Sequence, residues 1–266
     1  MPIRRLLFVA LSLLVLSGCD PHTIEIRFEP AVGDAYRFRS DVRTEVARTI
    51  EGETTTEDAS SVLDATERVI AVDDDEVRIE VTLERDGTTQ RTYDVRFDRG
   101  DRLTAIDLVE GVPADALGLD LATDLPADVA SPPPGPLEPG TAWVIERVVE
   151  IAGEADPIVV RGTGRIDALG VVDGNDVAVV VVDLEVPIRS TIETADGEVT
   201  VRGEQTSRSR TTYDLTDGAA RSDRTDITGE VAVIVAPPDG IDAAPVEGAI
   251  AYRIETRTRR VPQAKA

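Results

Sequence analysis

The chain has 266 residues, of which 51 are acidic and 28 basic, giving a formal net charge of −23 at pH 7. So acidic a surface repels nucleic acid and anionic lipid head groups, which excludes a nucleic-acid partner. Cys19 and His22 are the single cysteine and histidine. The body of the chain therefore has no thiol or imidazole for Ser-His-Asp or Cys-His hydrolysis or for the usual zinc sites, and we predict no cofactor and no enzymatic activity.

The first 18 residues have the pattern of a secretory signal peptide. Arg4 and Arg5 precede an apolar run over residues 6–16, and two small residues follow it. A membrane-spanning helix needs about 20 apolar residues, so this run is too short to span a bilayer comfortably. We predict that residues 1–18 are a signal peptide.

The end of this segment, Leu16-Ser17-Gly18-Cys19, resembles the lipobox of bacterial lipoproteins. The resemblance implies that Cys19 is diacylated on its sulfur and becomes the mature N-terminus, and two or three acyl chains hold a protein firmly on a membrane. Asp20 resembles an inner-membrane retention signal, which implies the extracytoplasmic face of the plasma (inner) membrane. The alternative is an incidental cysteine, with cleavage elsewhere and a free thiol.

Beyond the anchor, apolar and polar residues alternate with a period of two, which indicates half-buried strands. We predict that residues 19–28 hold the lipidated N-terminus, a tether and the start of the first strand. Turns containing glycine separate the later strands and favour an antiparallel meander. So large a one-sided sheet must bury its apolar face by closing as a barrel, half-barrel or sandwich. The alternating segments are 24–29, 36–46, 77–84 and 93–97.

Two segments depart from simple alternation. Residues 177–182 are continuously apolar, which predicts a central strand that is covered on both faces. Gly162 and Gly164 interrupt a strand and predict a bulge or tight bend.

The two halves of the chain resemble each other in the same order. We predict a duplicated β-unit over residues 29–130 and 138–261, although recurring turns and alternation in any meander could produce similar matches. The matched segments are 29–36 with 138–143, 66–71 with 163–168, and 93–98 with 213–217. The proline-rich residues 131–137 are a predicted connector between the halves, and residues 262–266 a disordered tail.

Residues 108–129 carry apolar side chains at roughly helical spacing, but Pro113 and Pro126 interrupt them. We predict at most a short helix there. The segment either plugs one end of the sheet or acts as a lid over an apolar cavity.

Asp73-Asp74-Asp75-Glu76 is the densest carboxylate cluster. It lacks the alternating ligand spacing and central glycine of a calcium loop, so a solvated turn is the favoured interpretation. Asp73 and Asp75 are weak candidates for metal ligands, and we predict no metal site.

The body resembles uncharacterised bacterial envelope lipoproteins built from a duplicated β-unit that opens with Gly-x-x-Tyr/Trp, here Gly33 to Tyr36 and Gly140 to Trp143. At the level of fold it is similar to the half-barrel lipid carriers LolA and LppX. The resemblance implies a membrane-anchored, non-catalytic binding module for a hydrophobic or lipid ligand. The alternative is a structural or interaction protein that presents an acidic β surface to another envelope component. No ligand-binding residue is predicted.

Overall fold

The structure is a computed structural model that describes residues 23–117, 132–149, 157–194, 197–238 and 243–262. The predicted signal peptide, Cys19 and residues 263–266 of the predicted tail lie outside the described residues. Twelve strands and one short 3₁₀ turn (Asp115–Leu117) occur within them, which confirms the predicted all-β class. The strands are β1 Ala35–Ile50, β2 Glu53–Val72, β3 Glu76–Arg85, β4 Thr88–Asp98, β5 Leu103–Val109, β6 Val112–Pro113, β7 Ala142–Val149, β8 Ile158–Val172, β9 Asn175–Thr194, β10 Gly197–Asp214, β11 Ala220–Ala236 and β12 Val246–Arg260.

All twelve strands form one antiparallel sheet in the order β6-β5-β4-β3-β2-β1-β12-β11-β10-β9-β8-β7. Pairing of β1 with β12 joins the first and second predicted halves into a single sheet. The edges are β6 and β7, which do not pair with each other, so the sheet is open. Of the three predicted closures, the half-barrel is the one that this topology fits.

The alternation along the strands gives the sheet two chemically different faces. The face that carries Tyr36, Phe38 and Val180 is apolar, and we call it the inner face. The outer face carries exposed ion pairs, such as Arg253 with Glu255 at 2.7 Å. Exposed pairs contribute at most about 1 kcal/mol each, so burial on the inner face dominates the stability of the fold.

The buried part of the inner face consists of two clusters, one in each half of the sheet. The first is formed by Phe28, Tyr36, Val69, Val77, Ile79, Val95 and Ala219. The second is formed by Leu137, Ile145, Val160, Ile166, Val180, Val182 and Tyr213. Both lie toward the same end of the sheet, which we call the proximal end. The loops at that end are 73–75, 98–102, 137–141, 173–174 and 214–219.

Residues 24–29 cross the proximal end and connect the two halves. Ile24 exchanges two backbone hydrogen bonds with Leu137, both 2.7 Å. The Phe28 amide donates to the Arg99 carbonyl at 2.8 Å, and the Glu29 amide donates to the Asp217 carbonyl at 2.8 Å. The Phe28 ring is buried, with its centroid 6.2 Å from that of Tyr36. This segment therefore closes the proximal end of the core.

This arrangement differs from the prediction that the first strand starts within residues 19–28. Within the described chain, Ile24 forms an isolated bridge and β1 begins at Ala35. Ile24, Ile26 and Phe28 still point inward, and the charged residues between them are exposed. An extended segment lying against a core alternates like a strand, which is why the sequence pattern could not separate the two.

The opening turn of each half has the same backbone geometry. In each, two hydrogen bonds connect the turn to the second strand of the half, and a register shift follows in that strand. The bonds are Gly33 N to Val69 O (2.9 Å), Val69 N to Asp34 O (2.9 Å), Gly140 N to Ile166 O (3.0 Å) and Ile166 N to Thr141 O (2.9 Å). The shifts lie between Val69 and Ala71 and between Ile166 and Ala168.

The third predicted match between the halves is shifted by four residues. Strand register measured from the matched turns makes Phe97, not Tyr93, the counterpart of Tyr213. The next residues, Asp98 and Asp214, have the same role. Each accepts a hydrogen bond from the amide two residues later, at 2.8 and 3.0 Å.

The continuously apolar residues 177–182 lie in β9, between β8 and β10, and five of the six side chains are buried. This confirms the predicted central strand. Gly162 and Gly164 have another role than the predicted bulge, because the register shift of β8 falls beyond them. A Cβ on Gly164 would overlap the indole ring of Trp143, and one on Gly162 would overlap the Asp183 carbonyl oxygen and the Leu184 side chain. These glycines make room for large inner-face side chains.

Residues 108–129 and 131–137 are described in part. Leu108 and Val109 end β5, and the 3₁₀ turn Asp115–Leu117 is the short helical element within the described part of the predicted segment. Val109 and Ala114 are buried, whereas Leu117 is exposed. In the predicted connector, Leu137 is buried and belongs to the second core cluster.

We expect Gly164→Ala to lower the free energy of unfolding by about 1–3 kcal/mol, because the new methyl group displaces the Trp143 ring. Urea denaturation followed by tryptophan fluorescence measures the effect. Gly170→Ala is the matched control in the same strand, since its Cβ would lie 3.9 Å from the nearest atom. Equal stability of the two variants would contradict the packing described here.

Candidate functional site

The end of the sheet opposite the proximal loops, the distal end, carries an apolar surface on its inner face. Here β1, β9, β10, β11 and β12 extend beyond the two core clusters. We call this surface the distal apolar patch. It consists of Ile50, Ile188, Ile192, Val199, Val201, Val231, Val233, Val235, Val246 and Ile250.

Strand register arranges the patch in three rows that run across the sheet. The row nearest the distal end is Ile192, Val199, Val235 and Val246, on four successive strands. The second row contains Val201, Val233 and Ile50, with Gly248 between the last two. The third contains Ile188, Val231 and Ile250. Five strands at about 4.8 Å spacing make the patch about 19 Å wide.

The patch becomes more exposed toward the tips of the hairpins. Ile192 is 54% exposed, Val246 44% and Ile50 54%, whereas Val231, nearer the core, is buried. Contiguous exposed apolar surface of this kind marks sites of protein or membrane contact. The patch is thus a candidate binding surface.

A second candidate is a polar cleft of about 850 Å³ at the proximal end, between the two halves. Charged side chains dominate its lining, notably Asp34, Asp173, Asp214, Asp217, Arg221 and Arg260. Two groups of hydrogen-bonded residues, each centred on an aspartate of the loop 214–219, fix most of these side chains.

Asp217 connects the first group. It accepts hydrogen bonds from the Tyr36 hydroxyl at 3.3 Å and from Arg260 Nη1 at 3.4 Å. The Arg260 guanidinium also lies over the Tyr36 ring, 4.4 Å from its centroid, a cation–π contact. Burial and the negative charge of Asp217 raise the pKa of Tyr36, so its hydroxyl stays protonated as a donor.

Asp214 connects the second group. Its Oδ2 accepts a hydrogen bond from Asn175 at 2.9 Å, and Arg221 lies 3.5 Å away. Arg221 also pairs with Asp173 at 2.7 Å. Burial acts to raise the pKa of Asp214, but hydrogen bonds from Thr216 and Asn175 outweigh it and lower the pKa. Both aspartates therefore hold the loop between β10 and β11 in place, and the lowered pKa keeps Asp214 an ionised acceptor.

Two further carboxyl groups lie within the curve of the sheet near Tyr36. Burial raises the pKa of Glu67 to about 7, although the positive charge of Arg260 acts in the opposite direction. The pKa of Asp101 is raised well above its ordinary value by burial and by the charges of Glu67, Asp98 and Asp217. These acids destabilise the folded chain when they ionise.

The weak metal candidates Asp73 and Asp75 lie in the turn between β2 and β3. The Asp73 amide donates to the Glu76 carbonyl at 2.9 Å, and Arg99 donates to the Asp73 and Asp74 carbonyls. Across the described ranges, no group of three His, Cys, Asp or Glu side chains is placed to hold a metal ion.

The structure brings together residues that sequence reasoning did not assign to a site. The patch combines residues from five strands. The sequence shows the alternation within each strand but not which strands lie side by side. Asp217 hydrogen-bonds with Tyr36, which is 181 positions away, and with Arg260, which is 43 positions away. The residues of the predicted lipobox, Leu16, Ser17, Gly18 and Cys19, lie outside the described residues.

No protein-family model and no curated protein matches the chain. Several solved structures are similar to the chain at a low level, and two of them are proteins of Vibrio cholerae and Pseudomonas aeruginosa. One is OmpTdeltaL8, a loop L8 deletion mutant of the outer membrane protein OmpT of Vibrio cholerae, at 11% identity over 87% of this chain and 100% of that chain, with a TM-score of 0.20. The other is OpdQ of Pseudomonas aeruginosa, at 9% identity over 86% and 99% of the two chains, with a TM-score of 0.22. Likeness at this level carries no functional conclusion.

Among the residues that the structure describes, no helix has the length and apolar character needed to cross a membrane.

We expect Glu67→Gln to make stability less dependent on pH between about pH 4.5 and 7. The folded chain binds the Glu67 proton more tightly than the unfolded chain, because the pKa is raised from 4.5 to about 7. The wild-type free energy of unfolding gained from this group is therefore full below pH 4.5 and is lost as the pH rises through 7. Urea denaturation at several pH values measures the slope.

Glu53→Gln is the matched control, since Glu53 lies on the same strand and face but is exposed at the distal tip. It should leave the slope unchanged. An unaltered slope in Glu67→Gln would contradict the raised pKa of Glu67.

Proposed function

We propose that this chain is a lipid-anchored, non-catalytic protein of the bacterial envelope that binds a partner protein through the distal apolar patch. The observation that carries the proposal is the exposure of Ile192, Val246 and Ile50 at the end of the sheet farthest from the N-terminal segment. The contact surface is thus apolar, whereas the sequence favoured either an enclosed lipid site or an acidic face.

The lipobox-like Leu16-Ser17-Gly18-Cys19 supports the anchor, and Asp20 supports the extracytoplasmic face of the plasma membrane. Few residues separate Cys19 from Ile24, whose backbone is hydrogen-bonded to Leu137 at the proximal end. An acylated Cys19 would hold the proximal end close to the membrane. The distal patch would then face away from it.

The openness of the patch favours a protein partner over a lipid. Sites for small hydrophobic ligands enclose most of the ligand surface, typically 70–90%. Here the enclosed part of the inner face is filled by core side chains such as Tyr36, Phe38 and Ile79. The distal patch, by contrast, is a broad and open sheet face, and an exposed apolar patch of this kind is typical of a contact with another protein.

The polar cleft is assigned no reaction in this proposal. Asp217 is engaged by Tyr36 and Arg260, and Asp214 by Asn175 and Arg221. These contacts support a structural role, in which the carboxylates fix the loop between β10 and β11 against the first strand and against β9.

Photocrosslinking in cells tests the distal site. A crosslinking amino acid at position 192 should give one specific adduct with a protein, and Val235→Lys with Val246→Lys in the same row should abolish it. The matched control is position 171, where an exposed valine lies at the proximal end. Equal adducts at the two positions, or a lipid adduct at position 192, would overturn the proposed partner class.

A second experiment tests the anchor. We expect Cys19→Ser to release the protein in soluble form or to leave its signal peptide uncleaved, because the acylated sulfur is lost. Fractionation of membranes and mass spectrometry of the N-terminus measure this. Asp20→Asn keeps the cysteine and should keep membrane attachment. A processed Cys19→Ser protein that stays on the membrane would refute the lipid anchor.

A further inference from the structure

We propose that β7 is a strand-addition site, at which an extended basic segment of another polypeptide pairs with the open edge of the sheet. This surface is separate from the distal apolar patch, and its test does not depend on the proposed function.

The two edges of the sheet differ in how well they are protected. β6 has two residues, one of which is Pro113, and the chain then turns so that the Ala114 amide donates to Asp107. Proline has no amide hydrogen and short strands offer few pairing sites, so this edge is blunted. β7 has eight residues and, within the described chain, pairs only with β8.

β7 also has the side chains of a strand that accepts a partner. Val144 is 81% exposed and Val148 61%, and both lie on one face of the strand. Between them, Ile145 is buried and fixes the strand against the core. An edge strand presents backbone N–H and C=O groups for pairing, and exposed alternate side chains add contacts to the incoming strand.

The duplicated turns show what kind of strand fits there. Trp143 occupies the position of Tyr36, so β7 corresponds to the beginning of β1. On its other side, β1 pairs with β12, from Phe38 opposite Arg260 to Val42 opposite Thr256. In the first half, the position that is left open beside β7 is filled by residues 256–260 of β12. This stretch consists of threonine and arginine.

Charge favours the same chemistry. The stretch of β12 in question contains Arg257, Arg259 and Arg260. The chain as a whole carries a net charge of −23, so a basic segment is attracted and an acidic one repelled. A basic extended segment therefore pairs with the open backbone of this edge and is attracted by the net charge of the chain as a whole.

Hydrogen exchange of the purified full chain in detergent tests the proposal, with a synthetic peptide of residues 250–262 as the probe. We expect the peptide to slow amide exchange in residues 143–148 and nowhere else. Slowed exchange in β1, which would mean replacement of β12, or no slowing at all would overturn the proposal. Association of the chain into dimers through β7 without peptide would also overturn it, in favour of pairing between copies.

Variants at the edge provide the controls. Val144→Lys with Val148→Lys should weaken peptide binding at least tenfold, measured by fluorescence anisotropy, because it adds repulsive charge and removes apolar contact. Val171→Lys, at an exposed valine away from the edge, should not. A peptide with glutamate in place of arginine should fail to bind the unmodified chain, which tests the charge requirement even if the double variant does not fold. Equal binding of the two peptides would contradict the proposal.

Discussion

The structure depends on burial of the apolar inner face. A sheet of this size cannot bury that whole face by curving alone. Alternation places most large apolar side chains on the inner face, and among the described residues the open sheet of twelve strands has no second layer packed against it. Residues 24–29 provide part of that cover. By placing Phe28 between the two halves, they close the proximal end, while the distal end has no such cover among the described residues.

The two ends of the sheet consequently have different roles. At the proximal end, Asp217 and Asp214 are tied to Tyr36, Arg260, Asn175 and Arg221, so polar groups stabilise loops around a filled core. At the distal end, the same inner face continues as rows of valine and isoleucine with exposed tips. One face therefore stabilises the fold at one end and is available for binding at the other.

Much of the fold follows from the sequence, because a period of two is a local signal. The central position of residues 177–182 and the matched turns at Gly33 and Gly140 could be read directly. Other features depend on contacts between distant residues. Ile24 and Phe28 alternate as a strand would, yet they pair with loops. Gly164 is required by Trp143 on the neighbouring strand, which sequence spacing does not reveal. The distal apolar patch depends on strand register, which aligns Ile192, Val235 and Val246 and cannot be read from the sequence.

The length of β1 sets a geometric limit on where this protein can act. Its 16 residues at about 3.4 Å each span roughly 54 Å, and they run from the turn beside residues 24–29 to the distal hairpin tip. Pairing on both sides with β2 and β12 keeps this strand from bending freely. A proximal end fixed at a bilayer would hold the apolar tips at a nearly constant height above it. Partners that stay within the first few tens of ångströms of that membrane would meet the charged outer face, and those at the height of the tips would meet the valines.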